Sequence, residues 1–519
     1  MGGWTVTGGR DSFERHRERL ASLTSWDADW SGLRVVVTGI GVSGFAAADT
    51  LVELGASVVV VDGSVTERTQ AQAETLRIVG AVDVLLGPDA VQALPLVEGE
   101  LPDLVVTSPG WRPDQAVLAA AARKHVPIWG DVELAWRVRS RRGKKTAAWL
   151  AVTGTNGKTT TVGMAESMLR AGGLKAVAVG NVGTPILDAI REPVEYDAFV
   201  VELSSFQLHW AESLSPVAAV VLNVAEDHVD WHGSYESYLA DKAKIYRNTQ
   251  KAAVYNAEQI ETERMVEEAD VVEGCRAIGF TTRTPGLSMV GVVDGLLVDR
   301  AYIPERRDHA AELASVADLG EIAPRHMVAN ALAAAALVRA VGVEPVAVRE
   351  GLRNYLPGDH RIQPVATFDG VVWVNDSKAT NPHAASASLA AFGSVVWIAG
   401  GLSKGVTYDE LVARHARRLK SVVLIGVDSS DLAGALKRHA PNVPVIRIDP
   451  GDTEGDRPDG ASIMARAVER AADAAGTGDT VLMAPAAASM DQFASYAQRG
   501  TAFIDAVRRL VEGKAQSKE

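Results

Sequence analysis

The chain of 519 residues holds one cysteine, Cys275. A single thiol closes no intrachain disulfide and builds no cysteine-based zinc site, so a secreted, disulfide-stapled protein is excluded and a reducing cytoplasm is expected. Long apolar runs are missing too. The most apolar stretches, Ala218 to Val224 and Val481 to Ala488, fall far short of the roughly 20 residues a membrane span needs and read as buried strands. The opening MGGWTVTGGRDSFERHRERL carries charges where a signal peptide needs an apolar core, and Val6 breaks the myristoylation pattern. Positive charge is in deficit, 52 Lys and Arg against 65 Asp and Glu for a net −13. That argues against a general nucleic-acid binder or a membrane-surface protein, and leaves room for a local basic pocket.

What is present is ordinary for a globular chain, with 47% apolar and 23% charged residues, and the length suits about three domains of the usual ~100–200 residues. Residues 1–30 lack steady periodicity and read as a polar extension, with a short surface helix over Asp11 to Leu20. From Leu33 the text alternates apolar run, glycine turn and amphipathic stretch, as in LRVVVTG, GVSGFAAADTLVELGA and SVVVVDG. This rhythm predicts βαβ units and parallel sheets covered by helices. The basic stretch RVRSRRGKK, Arg137 to Lys145, reads as a linker to a second unit. That unit has strands at FVVELS and AVVLNV, helices near Lys158 to Arg170 and Tyr235 to Tyr246, and a β-rich passage around Gly286 to Ile303. The GDHR turn after Pro357 opens a third unit with strands VVWVND, VVWIAGG, SVVLIGV, VPVIRI and TVLMAP and a closing helix over Asp491 to Val511. The expected organisation is therefore α/β throughout: 31–145, 146–357 and 358–519.

The sharpest local signal is GTNGKTT, Gly154 to Thr160, directly after a strand and before a helix. Glycines at 154 and 157 let backbone amides turn inward, the helix amino terminus adds partial positive charge, and Lys158 reaches the terminal phosphates of a nucleotide. Thr159 would hold Mg²⁺ through its hydroxyl. In the first unit, Gly39-Ile-Gly41-Val-Ser-Gly44 with Asp62 closing the next strand is a dinucleotide fingerprint. A nicotinamide-dependent oxidoreductase is one reading of it and another diphosphate ligand is a second. Glu202-Leu-Ser-Ser-Phe-Gln207 and Asn223-Val-Ala-Glu-Asp-His228 follow strands and should emerge at the same sheet edge as the phosphate loop, where an acid is a natural Mg²⁺ ligand. Spacing alone leaves His228 as a hydrogen-bonded histidine and Lys242 as a solvated helix lysine. In the third unit, Asn375 to Asn381, Gly400 to Gly405 and Pro485 to Ser489 close three strands and should form one crevice, with Lys378 and Lys404 for an anionic ligand.

GTNGKTT, ELSSFQL, NVAEDHVD, the Lys242 helix, NDSKATN, GGLSKG and the SMDQF segment, in this order, resemble the Mur ligases of peptidoglycan precursor synthesis. The resemblance runs from about Leu33 to Leu510, and ELSSFQL, NDSKATN and SxDQFxxxxQRG are most similar to the members that add D-glutamate. It implies a Rossmann-like domain for a UDP-sugar, a central P-loop ATPase-like domain with a mostly parallel sheet, and a Rossmann-like carboxyl-terminal domain for ATP and the amino acid. The implied reaction joins D-glutamate to UDP-N-acetylmuramoyl-L-alanine with ATP through an acyl phosphate, in the cytoplasm, by a monomer.

The family pattern also assigns residues. Gly154, Thr155, Asn156, Gly157, Lys158, Thr159 and Thr160 would hold the phosphates, with Asn330, Arg361, Asp376 and Lys378 also facing ATP. Thr159 and Glu202 would bind one Mg²⁺, His228 and a carbamylated Lys242 a second, so that Lys158, Glu202, His228 and Lys242 carry the catalysis. Gly41, Val42, Ser43, Asp62, Ser108, Gly110 and Asn181 match the UDP-sugar pocket. Thr380, Lys404, Ser489, Met490 and Tyr496 match the glutamate site. The chain departs from the pattern at His326-Met-Val-Ala-Asn330, where Met327 replaces a common adenine-contacting asparagine. Ala487 stands where cysteine is common, and Tyr496 where phenylalanine is frequent.

Overall fold

The computed structural model describes residues 16–181, 183–320, 323–356, 358–403, 406–448 and 459–516. The first sheet is built from β1 (Arg34–Thr38), β2 (Ser57–Asp62), β3 (Asp83–Leu86), β4 (Leu104–Thr107) and β5 (Ile128–Gly130) in the order β3-β2-β1-β4-β5. All its pairings are parallel. Valine runs such as SVVVVD suit strands buried on both faces. The order reverses beside β1, so the crevice for a ligand opens beyond the β1 end, where the Gly39–Gly44 turn lies.

The second sheet runs β14-β13-β12-β11-β10-β9-β6-β8-β7. Its strands are β6 (Ala148–Thr153), β7 (Ala176–Gly180), β8 (Ala198–Glu202), β9 (Ala218–Val221), β10 (Ala252–Asn256), β11 (Arg276–Phe280), β12 (Met289–Val293), β13 (Leu296–Asp299) and β14 (Ala311–Ser315). Only β12–β13 and β13–β14 pair antiparallel. The β12–β13 hairpin turns through Asp294 and Gly295, both at positive φ (48° and 78°), the arrangement that two-residue hairpins favour and that Asp-Gly supplies cheaply. The third sheet, β15 (Gln363–Phe368), β16 (Val371–Asn375), β17 (Val395–Gly400), β18 (Leu419–Ile425), β19 (Val445–Arg447) and β20 (Thr480–Met483), runs β15-β16-β20-β17-β18-β19. It is parallel except at its β15 edge. The closing helix begins later than the periodicity suggests, at Tyr496, and ends at Gln516.

The chain divides into two compact units rather than three. The first runs through Asp318 and takes in Ala329–Tyr355, so that it contains the first two sheets; the second holds Leu319–Val328 and the chain from Leu356 onward. Glu133 ties the first two sheets together. Fully buried in the helix Asp131–Val138, it accepts from the backbone of Glu212 (2.8 Å) and Ser213 (2.9 Å), the Ser213 hydroxyl (2.6 Å) and Arg137 Nε (2.7 Å). The stretch expected as a solvated linker is pinned as well. The guanidinium of Arg137 lies 4.1 Å from the Trp129 ring centre and that of Arg139 3.4 Å from Trp136, and burial lowers the Arg139 pKa to about 10.

The polar-extension reading also fails from Leu20 onward. Leu20, Leu23, Trp26 and Trp30 are buried in the core of the first unit. Trp26 N–H donates to Ser140 O at 2.8 Å, and Arg137 Nη1 to Leu20 O at 3.0 Å. An apolar residue every three or four positions was the signal, masked by the charges between them. The beginning of the surface helix expected from Asp11 lies outside the described residues.

Candidate functional site

β6 lies between β8 and β9, and the chain leaves its carboxyl end through Gly154–Gly157 into the helix Lys158–Ala171. Asn223, at the end of β9, holds this loop. Its backbone oxygen accepts from Thr155 N–H (2.9 Å), its Oδ1 from Asn156 N–H (2.9 Å), and its Nδ2 donates to Asn156 O (3.0 Å). The Thr155 hydroxyl meets Tyr238 Oη at 2.7 Å and accepts from Ala225 N–H at 3.0 Å. Gly157 is left-handed (φ +85°), and a Cβ there would lie 2.4 Å from Asn330 Oδ1. Only glycine allows that turn and that approach. Lys158 Nζ donates to Gly154 O (2.8 Å) and Thr155 O (3.1 Å), which keeps its charge at the loop. Thr159 and Thr160 follow in the first helical turn, where backbone N–H groups lack intrahelical partners.

Glu202 ends β8 and is 2% exposed. Asn181 grips it twice, N–H to Glu202 O at 3.0 Å and Nδ2 to Oε1 at 3.0 Å. Asn181, expected in the sugar pocket, is thus placed at the phosphate-loop edge. Lys242 is 2% exposed in the helix Tyr235–Ala243, which overturns the solvated reading that spacing gave it. Its Nζ donates to Gly154 O (3.0 Å) and Thr153 Oγ1 (3.4 Å) and lies 4.7 Å from the Tyr238 ring centre. Burial, reinforced by Lys158, pushes the amine well below its ordinary pKa, against the pull of Asp227. His228 sits at φ 54° just before the short helix Val229–His232, with Nε2 3.7 Å from Asp227 Oδ2. Its pKa is also lowered, by burial first; Asp227 opposes, and Lys242 and Lys158 add to the lowering.

This donor set fits a divalent cation beside a polyphosphate. A buried carboxylate, a neutral imidazole and a hydroxyl on the phosphate-loop helix are oxygen and nitrogen ligands of the required kind. Burial of the Lys242 amine favours its neutral form, whose free lone pair is what CO₂ needs to form a carbamate.

In the first glycine loop, Gly41 precedes the helix Val42–Glu53, and Val42 is exposed. A Cβ on Gly44 would lie 1.8 Å from Gly39 O and 2.7 Å from Ser108 Oγ, so the loop closes on glycine and Ser108. Gly110 lies in the turn that follows. Asp62 accepts from Ile40 N–H (2.9 Å), Ser64 N–H (2.8 Å) and Ser64 Oγ (2.6 Å). Its oxygens brace the loop rather than reach outward for a ribose. Ser43 lies beside Asp131, a buried carboxyl that accepts from Gln207 Nε2 at 3.3 Å and whose pKa burial raises, with Ser43 and Gln207 opposing.

In the second unit, Arg499 organises the segments that close β16 and β20. It is 1% exposed; Nε donates to Ser377 Oγ (3.1 Å), Nη2 to Ser377 O (3.0 Å) and Nη1 to Ala487 O (3.2 Å). Ser377 Oγ in turn donates to Tyr496 O at 2.7 Å. Lys378 Nζ lies 3.9 Å from the Tyr496 ring centre. Thr380 follows in the same loop, Ser489 is buried and Met490 exposed. Lys404 lies outside the described residues. Asp376 accepts from the Ser388 hydroxyl and, at 3.3 Å, from Ile362 N–H. Burial pushes it up to about 6, against Ser388, Ile362 and Arg361.

Asp376 therefore keeps its proton in the fold at pH values where the unfolded chain has lost it. Stability from this group is full below about pH 4 and falls as pH rises through about 6. Asp376→Asn is expected to be more stable than the wild type at about pH 7.5, by roughly 2–3 kcal/mol, with the gain gone near pH 4. Denaturant titrations at the two pH values check this.

Comparison with known proteins places this architecture. Residues 152–338 match the Mur ligase middle domain and residues 360–487 the Mur ligase, glutamate ligase domain. The chain belongs to the Mur ligase family. Among its relatives, the UDP-N-acetylmuramoylalanine--D-glutamate ligase of Streptomyces avermitilis is 56% identical over 93% of this chain and 99% of the relative. The ligases of that name from Leifsonia xyli subsp. xyli and Mycolicibacterium smegmatis are 52% and 46% identical, covering 96% and 92% of this chain and 96% and 97% of theirs. A solved pseudomurein peptide ligase type C from Methanothermus fervidus shares the fold, with a TM-score of 0.51 at 17% identity over 87% of this chain and 96% of that one. Among the described residues no helix is long and apolar enough to cross a membrane.

Proposed function

We propose that this chain joins D-glutamate to UDP-N-acetylmuramoyl-L-alanine, with ATP converted to ADP and phosphate. The observation that carries this reading is 56% identity along 99% of a ligase named for that reaction. The substrate's alanine carboxylate is inert to amines, so one of its oxygens first takes the γ-phosphoryl group of ATP, giving an acyl phosphate and ADP. The glutamate amine then attacks the carbonyl carbon, loses a proton and expels phosphate.

The phosphate-loop amides of Gly154 to Thr160 and the Lys158 ammonium would hold the transferring phosphoryl group, with Asn330, Arg361, Asp376 and Lys378 contributing to ATP. Thr159 and Glu202 would bind one Mg²⁺, and His228 with a Lys242 carbamate a second. Bound there, Mg²⁺ neutralises charge on the phosphoryl oxygens. The Lys242 amine, whose neutral form burial favours, would take up CO₂ and release a proton, which turns a buried amine into an anion with two ligand oxygens. Gly41, Val42, Ser43, Ser108 and Gly110 would cradle the UDP diphosphate on the helix amino terminus, with Asp62 bracing the loop and Asn181 linking the sugar side to Glu202. Thr380, Lys404, Ser489, the backbone of Met490 and Tyr496 would hold the glutamate. We assign the enzyme to the cytoplasm, where ATP is available, and as a monomer.

Phosphate release from ATP, measured with UDP-N-acetylmuramoyl-L-alanine and D-glutamate, L-glutamate or no amino acid, tests the reading. Release is expected with D-glutamate alone. Release that is independent of D-glutamate overturns it.

A further inference from the structure

Beside the phosphate-loop edge lies a side-chain cluster that the reaction above does not use. Asp241, the neighbour of Lys242, accepts at Oδ2 from His209 Nδ1 (2.8 Å) and His232 Nδ1 (2.9 Å), and its Oδ1 is 2.8 Å from Lys244 Nζ. A carboxylate only accepts, so both imidazoles donate their Nδ1 protons. On its other side, the His232 ring is hydrogen-bonded through Nε2 to the Ser205 hydroxyl, 2.9 Å away. Lys244 Nζ also donates to His209 O at 2.8 Å. The His232 side chain is wholly buried. Its ring stacks on Phe206 (centres 5.6 Å apart) and meets Tyr238 edge-on at 5.3 Å. Phe206 in turn meets the His228 ring at 4.9 Å.

These contacts join three segments. His209 and Ser205 belong to the short helix that follows Glu202, His232 to the turn that begins at His228, and Asp241 to the helix of Lys242. Each segment carries one of the proposed metal-binding side chains, and each is tied to a single carboxylate. The spacings are those of hydrogen bonds. A metal ion would need ligand distances near 2.0–2.2 Å and unprotonated Nδ1 atoms, and the Lys244 ammonium already neutralises the carboxylate.

We propose that Asp241, through His209 and His232, is a positioning residue that fixes the spacing of Glu202, His228 and Lys242 and so sets the site's affinity for its divalent cation. This inference rests on the metal assignment made above. Outer hydrogen-bonding partners of metal ligands commonly change affinity by about 10–100-fold when removed.

The test is Mn²⁺ binding to the full-length protein with a non-hydrolysable ATP analogue, followed by electron paramagnetic resonance, which needs no turnover. Asp241→Asn is expected to raise the Mn²⁺ dissociation constant by about 10–100-fold, with analogue affinity in the absence of metal left as in the wild type. His232→Gln and His209→Gln each remove one arm and are expected to weaken Mn²⁺ binding less; they carry the test if Asp241→Asn does not fold. Wild-type Mn²⁺ affinity in the folded variants overturns the proposal. Glu202→Gln separates the two ideas: if it too binds Mn²⁺ as the wild type does, the metal assignment itself falls. Stoichiometric zinc in the purified protein, lost in His232→Gln, would instead make the cluster an ion site and overturn the hydrogen-bonding role.

Discussion

Replacing Lys242 with alanine is expected to lower D-glutamate-dependent phosphate release about a thousandfold, the scale on which a lost transition-state charge partner acts. The expectation follows from an otherwise costly arrangement. An ammonium in a fully buried site, with Lys158 nearby and, among the described residues, no carboxylate in hydrogen-bond contact, pays a large desolvation penalty. That penalty favours the neutral amine, the form that reacts with CO₂. A carbamate formed there would place an anion beside Lys158 and the phosphate loop. Alanine removes both the amine and the anion. Short carboxylates such as formate or acetate, small enough for the vacated space, are expected to restore part of the activity of Lys242→Ala. Lys242→Arg, permanently charged and unable to form a carbamate, is expected to stay inactive at every concentration of added carboxylate. Full activity in Lys242→Ala would remove the carbamate from the mechanism.

Arg499→Met is expected to lower kcat/KM for D-glutamate about a hundredfold while leaving ATP binding by the first unit in place. Methionine nearly fills the volume and removes a buried charge, whose low pKa of about 10 records the cost of keeping it from water. What it cannot replace is the fork of donors to Ser377 Oγ, Ser377 O and Ala487 O. Two buried carbonyls would be left without these partners, at about 1–3 kcal/mol each. The loops bearing Lys378, Thr380 and Ser489 would lose their common tie. Misplacing binding groups by about an ångström costs on the order of a hundredfold. Arg499→Lys keeps the charge but not the fork, and is expected to recover only part of the loss. Steady-state kinetics against D-glutamate, with calorimetry to follow the melting temperature, distinguish lost positioning from lost folding. Unchanged kinetics in Arg499→Met would reduce Arg499 to a packing residue.

The same two residues show where reading the chain stops. Lys242 sits in YLADKAKIY, a stretch whose spacing describes a surface helix. It is buried because β6, the phosphate loop and Tyr238 close over it; β6 and the loop lie some 90 positions away in sequence, and Tyr238 sits one turn earlier on the same face of its helix. Asn223, Asn181 and Arg499 were likewise invisible in role, since each acts by hydrogen bonds to segments distant along the chain. The buried segment Leu20 to Trp30 was legible in its apolar spacing and was hidden by its charges. The antiparallel edges β14 and β15 carry no alternation strong enough to mark them.

Sequence by itself determined what depends on neighbours in the chain. It placed the alternating βα units, the glycines that turn the two phosphate-type loops, and the motifs at strand ends, because valine runs, glycine turns and helix starts are local preferences that survive in any context. Tertiary structure alone decided the charge states and the partners. Whether a lysine is solvated or buried where the ammonium is disfavoured, whether a basic linker is free or stacked on tryptophan, and which carboxylate ties three segments together are all set by desolvation and by hydrogen bonds between residues far apart in sequence. Burial and long-range pairing have no local signature, and in this protein they assemble the site.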